Sequence, residues 1–269
     1  MSLSPNIGGV SGSGRRDLST LFSRGQRTTT VDEAASLLGL SRPEAARRLA
    51  AWASNGWLRR GRRGLYLLVP VDAPDPSTWS EDPWYLADLV WRPCYVTGWT
   101  AANHWGLTDQ VFRSTVVATS VRVRRIDQEL AGNPYLVHHV PPEYLAWGMR
   151  SEWRHERRVL VADPARTVAE LLGAPSLGGG IRHVMEVLDE YLRDAEPWAL
   201  VESLDRFGNG AAFKRLGYLL EQLGLDDPVL VADLAPRLTA GTSSLDPSLP
   251  AVGPRSARWG LRVNADVAA

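Results

Sequence analysis

The chain has 269 residues, of which 44% are hydrophobic and 22% are charged, as is typical of one large or two ordinary globular domains. Its thirty basic and thirty acidic residues cancel, so the net charge predicts no strongly charged partner for the whole molecule. The single cysteine, Cys94, excludes an internal disulfide and predicts a reducing, cytoplasmic location. No apolar run is long enough to predict a signal peptide or membrane association.

The charge is distributed unevenly along the chain. Residues 1–70 contain eleven arginines and four acidic residues, a net charge of +7, and the remaining 199 residues carry a net charge of −7. Such a split predicts a nucleic-acid-binding part joined to a part with another role. Residues 1–14 are rich in serine and glycine and are predicted to be disordered. A short helix is predicted at Arg15–Ser23.

Capping signals predict two further helices. Thr30 with Glu33, and Ser41 with Glu44, have the spacing of a capping box, in which each side chain satisfies a free backbone N–H group of the other residue. Gly39 has the position of a left-handed helix C-cap. A tight turn between two short helices is therefore expected.

The second of these helices is predicted to have an apolar and a basic face. The apolar residues Ala46, Leu49, Ala50, Ala53 and Trp57 recur with helical periodicity and are expected to face the core. The opposite face carries the arginines Arg42, Arg47 and Arg48.

The sequence GWLRRGRRGLYLL, residues 56–68, predicts two short strands joined by a basic loop, with Gly61 and Gly64 allowing a tight turn. Two helices followed by such a hairpin are typical of a winged helix-turn-helix DNA-binding domain, assigned to residues 15–75. Helix-turn-helix units that contact proteins remain the alternative. The predicted DNA-binding residues are Arg42, Arg47, Arg48, Arg59, Arg60, Arg62 and Arg63.

Residues 70–83 contain four prolines among acidic residues and predict a linker, with a domain boundary near residue 75. Residues 76–269 show mixed helix and strand patterns, so the whole chain is expected to have an α+β fold: an N-terminal winged helix-turn-helix domain followed by a larger mixed α/β domain.

No catalytic constellation is found in the larger domain. His138 and His139 are adjacent in a predicted strand and point to opposite faces, which disfavours a shared metal. Residues 178–180 are three glycines with no Walker lysine, and a connector is favoured. Asp163 is interpreted as a helix N-cap rather than as part of a nuclease carboxylate set, because the one lysine, Lys214, lies in a different helical context. The chain is therefore predicted to be no enzyme and to bind no metal or cofactor.

Four segments together resemble a known family. They are CYVTGWTAANHWGLTDQ at 94–110, VLVADPARTVAELLG at 159–173, AFKRLGYLLEQLG at 212–224 and RWGLRVN at 258–264. Their order, after an N-terminal winged helix, resembles the AbiEi-type antitoxins of type IV toxin–antitoxin systems, which act in abortive infection. No single segment is specific; the order of the four is.

The resemblance implies two roles. The N-terminal domain would bind inverted repeats in double-stranded DNA upstream of its own operon and repress transcription. The C-terminal antitoxin domain would counteract a cognate nucleotidyltransferase-like toxin, without requiring a stable complex. Two alternatives stay open: a ligand-sensing winged-helix transcriptional regulator, which needs a pocket in the second domain, and a DNA-directed nuclease.

Overall fold

The computed structural model describes residues 12–23, 25–70, 73 and 79–267. It has a mixed α/β architecture with separate sheets, which confirms the expected α+β class. The chain forms two compact units, which divide at Asp82 and Pro83, except that residues 129–133 group with the first unit. The predicted boundary near residue 75 and most of the segment predicted to be disordered lie outside the described residues.

The first unit combines helices with the strands of a small sheet. The strand order is β1-β3-β2, with both pairs antiparallel. The elements are α1 (Gly12–Phe22), β1 (Thr28–Thr30), α2 (Val31–Leu38), α3 (Arg42–Ser54), β2 (Leu58–Arg62) and β3 (Leu65–Leu68).

Local capping sets the bounds of α2 and α3. Both predicted capping boxes are confirmed, since the N–H of Thr30 donates to Glu33 at 2.7 Å and the N–H of Ser41 donates to Glu44 at 2.9 Å. Gly39 ends α2 in the left-handed conformation, at φ 63°. The predicted first helix is also present, but it begins at Gly12 rather than at Arg15.

The buried face of α3 differs from the prediction. Ala45, Leu49 and Trp52 face a core that also contains Leu21 of α1 and Tyr66 of β3. Of the predicted stripe, Ala50 is exposed, and Ala46, Ala53 and Trp57 are only half-buried. The reason is the size of Trp52, whose burial removes far more apolar surface from water than burial of an alanine and so sets which side of the helix turns inward.

The β2–β3 hairpin is tighter than predicted. β2 extends through Arg62, so only Arg63 and Gly64 connect the strands, and Gly64 takes the positive φ (82°) that this turn requires. Gly61 serves packing rather than the turn, because a Cβ atom there would lie 2.8 Å from Cδ1 of Leu67. The two glycines thus have different physical roles.

The second unit is built around a six-stranded mixed sheet of order β6-β7-β5-β4-β9-β8. β4 pairs antiparallel with β5 and parallel with β9, while β5 and β7 are parallel. Its strands are β4 (Cys94–Val96), β5 (Thr115–Thr119), β6 (Asp127–Leu130), β7 (Asn133–His139), β8 (Met149–Arg154) and β9 (Arg157–Ala162), followed near the C-terminus by a small sheet of β10 (Ser243–Ser244), β11 (Arg255–Ser256) and β12 (Leu261–Arg262).

Helices supply the main core of the second unit. α6 is its central element: seven of its ten residues are buried, and Asp163 caps it by accepting from the N–H of Arg166 at 2.8 Å, as predicted. The helices are α4 (Pro83–Trp91), α5 (Gly98–His104), α6 (Pro164–Gly173), α7 (Ile181–Asp194), α8 (Pro197–Phe207), α9 (Gly210–Leu223) and α10 (Pro228–Leu234).

A buried ion pair ties α6 to the sheet. Nε of Arg166 donates to Glu170 at 2.8 Å, and its second guanidinium nitrogen donates to the hydroxyl of Tyr95 at 2.7 Å. Tyr95, on β4, donates to the same carboxylate at 2.7 Å, and Thr97 donates to its other oxygen. The Arg166 guanidinium also lies 4.2 Å from the ring centroid of Trp147. Every charge that is buried here has a partner, which is the condition for burying an ion pair at tolerable cost.

Helix α9 holds the C-terminal segments through its cations and one glycine. Arg215 donates to the carbonyls of Leu172, Ser244 and Leu245 at 2.8–3.0 Å, and Lys214 donates to the carbonyl of Gly241 at 2.9 Å. Burial lowers the pKa of Arg215 to about 10, so the group still carries its charge at neutral pH. The single lysine of the chain therefore has a structural role.

Gly217 is required where the fully buried ring of Trp259 crosses α9. A Cβ atom at Gly217 would lie 2.0 Å from that ring. We expect Gly217→Ala to lower the free energy of unfolding by about 1–3 kcal/mol, because the ring has to move. Gly12→Ala is the matched control, since a Cβ there meets no atom of the described residues within 4 Å. Urea unfolding measures both; equal stability of the two variants would contradict this packing.

Candidate nucleic-acid interface

The exposed face of α3 carries one arginine that has no ion pair. Arg47 is exposed, and no hydrogen bond or ion pair to it is found among the described residues. Ala50 and Ala51, one turn further along the helix, are also exposed and present little bulk. A helix with a free guanidinium beside small side chains can approach another surface closely.

Two of the seven predicted DNA-binding arginines form ion pairs. Nε of Arg42 lies 2.7 Å from the carboxylate of Asp32, with both side chains more than 70% exposed. Arg48 is half-buried and pairs with Asp17 of α1. An exposed pair contributes little to stability and is easily exchanged, so Arg42 can release its partner for a phosphate. Arg48 is held against α1 and is less available.

Arg59 also has a structural partner. Its side chain is half-buried on β2, and its guanidinium donates to the carbonyl of Trp79. No pattern in the sequence predicts this bond, because Trp79 lies twenty residues away across a proline-rich segment. Arg59 therefore contributes charge to the first unit without presenting a free guanidinium.

The hairpin carries the remaining three arginines. Arg60, Arg62 and Arg63 are exposed, and none has a hydrogen bond or ion pair to another described residue. Like charges on adjacent positions repel, and nothing in the described part of the chain offsets this repulsion. An external polyanion would offset it. Together with Arg47, four arginines on α3 and the hairpin have no hydrogen bond or ion pair to another residue that the structure describes; below they are called the unpaired arginines.

The cysteine and the two adjacent histidines of the second unit lie in surroundings that do not favour nucleophilic or metal-dependent chemistry. Cys94 is buried, and burial raises its thiol pKa to about 12, so it stays protonated at neutral pH. His138 is half-buried and His139 exposed on successive positions of β7, and burial lowers the pKa of His138 against the opposing effect of Glu170. Within the described residues no group of three His, Cys, Asp or Glu could hold a metal ion.

The glycines at 178–180 do not leave an open anion site. The N–H of Ile181, at the start of α7, donates to the carboxylate of Asp246 at 2.9 Å. Gly179 and Gly180 have positive φ, and they form the turn that leads into this helix. The carboxylate of Asp246 thus already occupies the position that an anion would take.

Comparison with known proteins finds a similar fold but does not indicate a function. No family model matches the chain, and no curated protein matches it. Its fold is similar to the crystal structure of RV2827C protein from Mycobacterium tuberculosis, with a TM-score of 0.65 and 16% sequence identity over 97% of this chain and 94% of that chain. Among the described helices, none has both the length and the apolar character needed to span a membrane.

Glu44 makes the stability of α3 dependent on pH. The hydroxyl and then the backbone N–H of Ser41 bond its carboxylate and lower its pKa from the ordinary value of 4.5. A lowered folded-state pKa means that the stabilisation is present above pH 4.5 and is lost as the pH falls through the lowered value.

We therefore expect Glu44→Ala to lower the melting temperature at neutral pH and to lower it less at acid pH, because the stabilisation is lost as the pH falls through the lowered folded-state pKa of Glu44. Glu202→Ala, at an exposed site within α8 away from any cap, is the control and should change little at either pH. An equal loss for Glu44→Ala at both pH values would contradict the capping account.

Proposed function

We propose that the first unit is a winged helix-turn-helix domain that binds double-stranded DNA. In this arrangement α3 is the recognition helix in the major groove, and the β2–β3 hairpin is the wing along the phosphate backbone. The observation that carries the proposal is the coincidence of this element order, sheet order β1-β3-β2 included, with four unpaired arginines on those two elements.

The four unpaired arginines fall into two groups, according to the part of the DNA that each could contact. Arg60, Arg62 and Arg63 lie on a hairpin, and a hairpin wing meets phosphates, which set affinity but carry no sequence information. Arg47 lies on α3, where a guanidinium can bond both acceptors of a guanine edge. Arg48 was an equal candidate from the sequence, but its pairing with Asp17 favours Arg47.

We further propose that the protein is a transcriptional autorepressor and antitoxin. The resemblance to AbiEi-type antitoxins supports this role, and a fold shared with another protein over almost the full length of both chains is compatible with it. Two copies on an inverted repeat would repress the operon, and the second unit would counteract a nucleotidyltransferase-like toxin. All four resembling segments contain buried residues, which lie on β4 and α5, on α6, on α9 and on β12, so they support the fold rather than a reaction.

A ligand-sensing winged-helix regulator is the second candidate. It shares the DNA interface and differs in what the second unit does. One observation favours it, a cavity of about 240 Å³ in that unit, whose lining includes Trp84, Trp99 and Phe112 among polar side chains. A nuclease is the least favoured of the three, because the buried Lys214, Glu170 and Arg166 all bond within the core.

The wing is tested by changing Arg62 and Arg63 to alanine together. We expect weaker binding to all DNA sequences, with the slope of log K against log salt reduced in magnitude by about 1.8, because two phosphate contacts are lost. The control is Arg193→Ala with Arg206→Ala, which removes the same charge from exposed arginines that pair within α7 and α8. Filter binding over a salt series measures both.

The control should keep the wild-type slope. If both double variants lower the slope equally, net charge and not the wing explains binding, and the proposed interface is wrong.

The recognition helix is tested by Arg47→Lys, which keeps the charge and removes the bidentate geometry. We expect discrimination between the operator and its guanine-substituted variants to fall by about 1–3 kcal/mol, with the salt slope unchanged. Competition binding on a set of single-substitution operators measures this. If all operators lose affinity equally, Arg47 contacts a phosphate, and another side chain of α3 contacts the bases.

A further inference from the structure

Strand β8 forms one edge of the six-stranded sheet, and β9 is the one described strand that pairs with it. Proteins commonly protect such edges from further pairing with bulges, prolines or charged side chains. The register of β8 with β9 is continuous from Met149 to Arg154, and β8 contains no proline. The side chains of β8 therefore decide which strands can pair with it.

Alternate residues of β8 direct their main-chain groups away from β9. The N–H of Asp163 donates to the carbonyl of Gly148 at 2.9 Å, which continues the β8–β9 ladder by one pair. Residues of an antiparallel strand bond alternately toward and away from their neighbour, so Gly148 fixes the pattern. The even-numbered residues bond to β9, and the N–H and C=O groups of Met149, Ser151 and Trp153 face outward. No hydrogen bond to these outward groups is found in the described part of the chain.

Solvent reaches the side chains along this edge. Arg150 and Ser151 are exposed and Trp153 is 66% exposed, so no segment that the structure describes covers the strand. Strand alternation places Arg150 and Glu152 on one face of the sheet and Trp153 on the other. Glu152 is half-buried, and its carboxylate lies 3.5 Å from Nε2 of His104. No ion pair to Arg150 is found among the described residues.

We propose that β8 pairs antiparallel with β8 of a second copy of this chain, about a two-fold axis through Ser151. In this register Arg150 of each copy lies opposite Glu152 of the other, at the non-hydrogen-bonded positions where side chains approach most closely. On the other face, Met149 of each copy lies opposite Trp153 of the other, as a sulfur–aromatic contact. The two-fold axis repeats each contact, so the edge is complementary to itself.

Neighbouring registers fit less well. An axis through Glu152 would place Glu152 opposite its own copy and Arg150 opposite Arg154, and like charges directly opposite destabilise a sheet. An axis through Trp153 restores opposite charges, but within β8 it pairs residues 152–154 alone. The alternation of charge along β8 thus argues for a second copy in one register. The inference concerns the second unit and does not rest on DNA binding by the first.

One short strand from each copy buries less surface than the roughly 1,200–2,000 Å² of stable complexes, so the dimer is expected to be weak. Sedimentation equilibrium of the full-length protein, from micromolar to millimolar concentration, measures the association. We expect a reversible monomer–dimer equilibrium within this range. A protein that stays monomeric at millimolar concentration would overturn the proposal.

The register is tested by exchanging the two charges. Arg150→Glu places Glu opposite Glu, and Glu152→Arg places Arg opposite Arg, so each variant alone should dimerise at least tenfold more weakly than the wild type. An equimolar mixture of the two should dimerise again, because every charge in the mixed pair has an opposite charge across from it. Arg206→Glu makes the same charge change on the exposed surface of α8 and should leave the dimer unchanged.

Recovery on mixing cannot result from damage to the fold of either variant. Single variants that dimerise as tightly as the wild type, or a mixture of folded variants that stays monomeric, would show that these residues do not lie opposite each other.

Ser151→Pro decides the question if a charge variant fails to fold. The N–H of Ser151 faces away from β9, so proline keeps the β8–β9 ladder and removes only the outward donor. We expect this variant to be monomeric at concentrations where the wild type dimerises. If it dimerises as tightly as the wild type, the two copies pair through another surface and the proposal is wrong.

Discussion

Arg166 carries a full positive charge into the centre of the second unit, where its side chain has no exposed surface. A buried charge is tolerated only when its hydrogen-bonding groups are matched, and Glu170, Tyr95 and the carbonyl of Trp147 do this together. The network joins α6 to β4, and α5, α7, α8 and α9 pack against α6. Removal of either charge would leave the other unpaired in the core, so the position of α6 depends on this contact.

The same constraint explains which arginines are available for function. In the second unit Arg215 is buried and bonds carbonyl groups, and in the first unit Arg59 and Arg48 are half-buried and also have partners. The arginines without partners in the described part of the chain include Arg47 on α3 and Arg60, Arg62 and Arg63 on the hairpin. Like charges that lie close together repel one another, and a bound anion would relieve that repulsion. Charge that the fold leaves unpaired in this way is the physical basis of the proposed DNA interface.

Sequence signals between neighbouring residues predicted much of the first unit. Features that depend on contacts between residues distant in sequence could not be predicted. The capping boxes at Thr30 and Ser41 and the C-cap at Gly39 depend on residues within four positions of each other, and all are confirmed. The buried face of α3 was predicted wrongly. Alanines occur on several sides of this helix, so its apolar periodicity does not show which side is buried unless the burial of Trp52 is known. The cavity of the second unit could not be predicted, since its lining combines Trp99, Phe112 and Arg154 from a helix, a loop and a strand. The order of the six-stranded sheet likewise depends on pairings between distant strands.

The most direct test of the central claim is binding of the unmodified protein to DNA from upstream of its own gene, against a scrambled duplex, over a series of salt concentrations. Three unpaired hairpin arginines meeting phosphates predict a slope of log K against log salt of about −2.7 or steeper, with the upstream DNA bound more tightly at every salt concentration. A slope near zero, or equal affinity for both duplexes, would contradict the proposal that α3 and the hairpin form a sequence-reading DNA interface.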